Sequence, residues 1–83
     1  MGIHSHTFVE TYDGLMGFGA DRKTDESTAI CYLQKFCDDT LMEHLMPRLS
    51  DDELSEVFDL ITRLLKKHLT NVEYHRLFLK DDH

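Results

Sequence analysis

The sequence predicts an all-α fold: a helical hairpin plus a short C-terminal helix, three to four helices in all. An extended N-terminal arm, able to pair as a β-strand, precedes them. Three observations carry this expectation. Apolar residues recur at helical period from Thr24 onward. Ser50-Asp-Asp-Glu53 and Thr70-Asn-Val-Glu73 have the Ser/Thr-x-x-Glu pattern of a capping box, in which side chain and backbone satisfy each other at a helix start. All 4 glycines fall before Arg22, where the pattern alternates instead. The expected organisation is an arm or loop over residues 1–23 and a helical domain over residues 24–83.

In the arm, one face of an extended chain would carry Ile3, Ser5, Thr7, Val9 and Thr11. The other would carry His4, His6, Phe8, Glu10 and Tyr12. That period of two suits a short strand. Asp13-Gly14 is a turn signal, and the glycines through Gly19 oppose a helix.

The first long helix has Thr24, Asp25 and Ser27 as candidate N-caps. Ala29, Ile30, Leu33, Phe36, Cys37, Leu41, His44 and Leu45 fall in one arc, its expected buried face. This helix either runs unbroken to Met46 or restarts at Thr40, since Thr40-Leu-Met-Glu43 is also a capping box. Pro47 ends it in both cases. In the second long helix Leu54, Val57, Phe58, Ile61, Leu64, Leu65 and Leu69 share about 140° of one face. Leu54, Phe58, Ile61 and Leu65 are expected in the core. Lys66, Lys67 and His68 close this helix where cations suit its dipole. The short terminal helix follows Thr70 and carries Val72, His75 and Phe78 or Leu79.

Composition narrows the function. The chain has 83 residues, 41% hydrophobic and 30% charged, with a net charge of −7. One modest core is the default, which is too little for a barrel enzyme or a doubly wound nucleotide fold. No basic stretch leads into an apolar run, and nothing approaches the roughly 20 apolar residues of a membrane span. A cytoplasmic protein without membrane contact is expected. Cys31 and Cys37 lie six residues apart on one predicted helix, about 9 Å along its axis. That is too far for a disulfide, so both are expected as free thiols.

Some residues invite chemistry. In an extended arm His4, His6 and Glu10 share a face, a two-histidine, one-carboxylate set able to hold zinc, nickel or iron. His4-Ser-His6-Thr followed by Asp13-Gly14 resembles the opening motif of the polymerase-and-histidinol-phosphatase metal-dependent phosphoesterases. The resemblance covers about eleven residues, and that family's further ligands come from later strands of a large barrel. It therefore implies no activity for this short helical chain. Between Leu60 and Lys80 the bases Arg63, Lys66, Lys67, Arg76 and Lys80 face one acid, Glu73. The overall acidity nevertheless disfavours nucleic acid.

Surplus apolar residues are more informative. Cys31, Tyr32, Met42 and Met46 lie outside the main arc of the first long helix, and the arm adds Phe8, Val9 and Phe18. These seven form the expected interface, with methionines suited to adaptable contacts. The expectation is a small acidic helical protein–protein interaction or regulatory module, a homodimer or an adaptor for another protein. No catalysis and no cofactor are assigned to it. The alternative is a metal-binding protein using His4, His6 and Glu10 with a divalent transition metal. A second alternative is a small helical DNA-binding regulator.

Overall fold

The computed structural model describes residues 6–19 and 21–81, and every regular element among them is helical. Two compact units divide the chain, Met1–Arg48 and Leu49–His83. The division falls at the Pro47 turn, and the arm belongs to the same unit as the first long helix.

The first unit contains α1 (Thr7–Thr11), α2 (Arg22–Phe36), α3 (Asp39–Leu45) and a 3₁₀ turn, Met46–Arg48. The expected extended conformation gives way to a helical turn over Thr7–Thr11. Phe8 and Tyr12, four residues apart, stack with ring centroids 5.3 Å apart. No side chain caps α1 from its own N-cap, His6. Gln34 of α2 replaces that cap, its Oε1 accepting from the Val9 N–H at 2.9 Å. Helical and strand periods are hard to separate over five residues, and here a tertiary acceptor decides between them.

Asp21, not Thr24, caps α2, accepting from the Thr24 N–H at 2.9 Å and from its hydroxyl at 2.9 Å. The buried face of α2 also differs from the expected apolar arc. Thr28 and Cys31 are its buried residues, with Thr24, Ser27 and Gln34 half-buried on the same side. Ile30, Leu33, Leu41, Cys37 and His44 of the expected arc are exposed. Small and hydroxyl side chains let the loop after α1 approach α2 closely. The Thr28 hydroxyl donates to the Gly17 carbonyl at 2.9 Å and accepts from the Gly17 N–H at 3.1 Å. A buried hydroxyl is thus satisfied as donor and as acceptor. Asp25 Oδ1 accepts from the Gly19 N–H at 2.7 Å. Gly14 permits a tight fold of the loop, because an added Cβ would lie 2.5 Å from the Tyr12 hydroxyl.

The helix breaks after Phe36. Cys37 caps the end of α2, and Asp38 caps α3, accepting from the Leu41 N–H at 3.4 Å. The restart thus precedes Thr40, whose carbonyl instead accepts from His44 Nδ1 at 2.9 Å. Both cysteines are free thiols, Cys31 buried and Cys37 exposed.

The second unit contains α4 (Asp51–His68) and α5 (Asn71–Glu73), which widens into a π-helical turn, Tyr74–Leu79. Both expected capping boxes form. Ser50 Oγ accepts from the Glu53 N–H at 3.2 Å while Glu53 Oε1 accepts from the Ser50 N–H at 2.8 Å. Thr70 and Glu73 repeat the exchange at 3.1 and 2.8 Å. Lys80, at φ 61°, ends the π turn in the left-handed region. The Asp81 N–H then returns to the His75 carbonyl at 3.1 Å. No helix among the described residues is long and apolar enough to cross a membrane.

Candidate functional site

Amphipathicity is concentrated in α4. Asp52, Glu56, Asp59, Arg63 and Lys66 lie opposite a stripe formed by Leu54, Val57, Phe58, Ile61, Leu64, Leu65 and Leu69. Burial of this stripe is the expectation that the structure corrects. Leu54, Phe58, Ile61 and Leu64 are exposed, Phe58 at 69%, while Val57, Leu65 and Leu69 are half-buried. The reason is that α5 and the π turn stand beside α4 without closing over it.

The space between them is a groove of about 590 Å³. On the α4 side it is walled by Phe58, Ile61, Leu65 and Leu69, with Tyr74 and Phe78 opposite. The rings of Tyr74 and Phe78 stack at 5.4 Å, and Tyr74 meets His75 edge-on at 5.7 Å. His75 Nδ1 lies 3.1 Å from Asp81 Oδ1, so Asp81 is tied back to the π turn. Lys66, Thr62, Thr70 and Asn71 supply the polar edge. Such a surface can hold an apolar side chain or helix face.

The comparisons with known proteins bear on this point. Neither family models, curated proteins nor solved structures gave a match.

Of the expected metal set, His4 lies outside the described residues. His6 is half-buried as the N-cap of α1, and Glu10 lies in its first turn. The shared face of a strand, which suggested the set, is replaced by helix from Thr7. Among the described residues no group of three or more His, Cys, Asp or Glu side chains could hold a metal ion.

The seven expected interface residues are dispersed within the first unit. Cys31 is 3% exposed and belongs to the interior of that unit. Phe8 and Val9 are half-buried on α1, and Met42 and Met46 are half-buried at α3 and the turn after it. Phe18 and Tyr32 remain exposed, at 78% and 69%.

Two carboxylates have their pKa displaced by the caps they serve. Asp21 is held below the usual carboxylate range by the Thr24 N–H first and the Thr24 hydroxyl second. Glu73 is lowered by the Thr70 N–H, then the Thr70 hydroxyl, with a smaller contribution from Arg76. Both belong to helix starts, outside the groove walls.

Proposed function

We propose that this chain is a protein–protein interaction module whose docking surface is the apolar face of α4 with the groove beside it. The observation that carries the reading is the exposure of Phe58, Leu54 and Ile61 on a strongly amphipathic helix. An aromatic side chain contributes about 150–250 Å² when buried, so Phe58 represents a large unrealised stabilisation. The second unit has no fully buried side chain among its described residues. Domains below about 40 residues usually need a disulfide, a metal or a partner to be stable. A partner laid on this face would supply the missing core, as helix-in-groove recognition does elsewhere.

Phe18 provides an internal reference for the test, being a phenylalanine of similar exposure, 78% against 69% for Phe58. Hydroxyl-radical footprinting in cells that make the protein should oxidise Phe58 several-fold less than Phe18. Equal oxidation of the two rings would mean that nothing covers the α4 face and would end this reading.

A further inference from the structure

The apolar stripe of α4 runs from Leu54 to Leu69, a rise of about 22 Å at 1.5 Å per residue. Leu54 and Leu64 are exposed and do not line the groove, so a small ligand seated there would leave both in water. A helix of similar length covers the whole stripe. The occupant that fits is therefore a helical segment of a partner protein.

Charge at the C-terminal end of the face specifies that segment further. Among the described residues, Lys66 is the one charged side chain that lines the groove. His68 lies within the arc of the stripe, about 20° from the direction of Ile61 at 100° per residue. Its ring offers an N–H donor in either protonation state. Both residues are exposed. The helical neighbours of Lys66 are Thr62, Arg63, Leu69 and Thr70, none of them acidic, and residues 60–68 contain no acid at all. Among the described residues the Lys66 ammonium has no ion pair. Matching to the helix dipole is served equally by Lys67, which turns a further 100° away and does not line the groove. Only Lys66 brings a full positive charge to the groove itself. An apolar partner laid over this end would strip water from Lys66 and His68 with nothing in return. A carboxylate on the partner would replace that water with a charge-assisted hydrogen bond.

We infer that the partner segment is an amphipathic helix with a carboxylate at the margin of its apolar face, placed to meet Lys66 beside the groove. The inference rests on the docking face proposed above and adds the chemistry of its occupant. The net charge of −7 opposes acidic segments at long range. At physiological salt that repulsion is screened beyond about 8 Å, which leaves the preference to direct contact.

Random peptides of about 16 residues, long enough to match the stripe, provide the test. They are displayed on phage and selected against the full chain at about 0.15 M salt. Peptides that shift the amide resonances of Leu65, Leu69, Tyr74 and Phe78 are kept as groove binders. Among these, Asp and Glu should outnumber Lys and Arg by about threefold at positions three or four residues from a bulky apolar anchor. For one such peptide, Lys66→Met in the chain should weaken binding about three- to tenfold. Exchanging the peptide's own Glu for Gln should cost the same factor, and the two changes together no more than either alone. Lys67→Met removes the same charge from the side turned away and should alter binding less than about twofold. Circular dichroism checks that both variants remain helical. Groove binders without an acidic excess would overturn the inference. So would equal affinity for wild type and Lys66→Met, or equal losses at Lys66→Met and Lys67→Met, which would mean that net charge and not contact is sensed. Each of these results leaves the α4 face occupied, so it is distinguishable from failure of the docking face. A selection that returns no groove binder would overturn both.

Discussion

Gly19 and Lys80 both hold positive φ, at 99° and 61°, and substitution at the two should act in opposite directions. No atom lies within 4 Å of where a Cβ on Gly19 would sit, so a side chain there meets only backbone strain. Gly19→Ala should lower stability by about 1 kcal/mol. Lys80 already bears that strain at a helix C-terminus, the position where glycine is most favoured. Lys80→Gly should raise stability by about 0.5–1 kcal/mol. Urea titration of both variants measures the two signs, and a common sign would contradict the assigned backbone conformations. At this scale the sequence was readable where side chain and backbone act locally. The Ser50 and Thr70 boxes need only the residues three positions on, and both form. Thr28 was not readable, because a hydroxyl in a helical pattern resembles a solvent-facing residue until a loop backbone supplies its partners.

Among the elements, α4 and α1 mark the two extremes of legibility. The stripe and cap of α4 are long enough to specify a helix unaided. The five residues of α1 depend on Gln34, distant in sequence, for their start. The α4 face was legible as a surface, whereas its exposure depends on where the terminal helix stands and was not. The caps also give the helices an acid sensitivity with a definite sign. Asp21 and Glu73 have folded-state pKa values below their ordinary ones, so their contribution is complete above the unfolded values, about 3.9 for Asp and 4.3 for Glu. It is lost as pH falls through the lower folded values. Acid titration followed by amide NMR should show the first turns of α2 and α5 fraying in that window. Asp21→Asn and Glu73→Gln should each flatten the response of their own helix. Fraying already complete at pH 6 would exclude these carboxylates as its source.

For the molecule as a whole, a partner covering the α4 face, as proposed above, would make stability depend on concentration. Cys31 is the one buried apolar side chain among the described residues, while Phe58, Leu54, Ile61 and Leu64 remain exposed. A chain that completes its core by association is stabilised by mass action. Under pairing of the chain with itself through this face, the Tm should fall by on the order of 5 °C per hundredfold dilution. Phe58→Glu should remove that dependence while leaving the Tm of the dilute chain nearly unchanged. Differential scanning measurements across the micromolar range would show it, and a wild-type Tm independent of concentration would count against association.

The two thiols give the first unit a built-in clock. Cys37 can meet an alkylating reagent at once, whereas Cys31, 3% exposed, reacts only when the structure around it opens. Both lie before Arg48, and the second unit has no cysteine. The ratio of the two alkylation rates thus reports how often the structure around Cys31 opens. Breathing of one half of the chain can be timed in the native protein without introducing a probe.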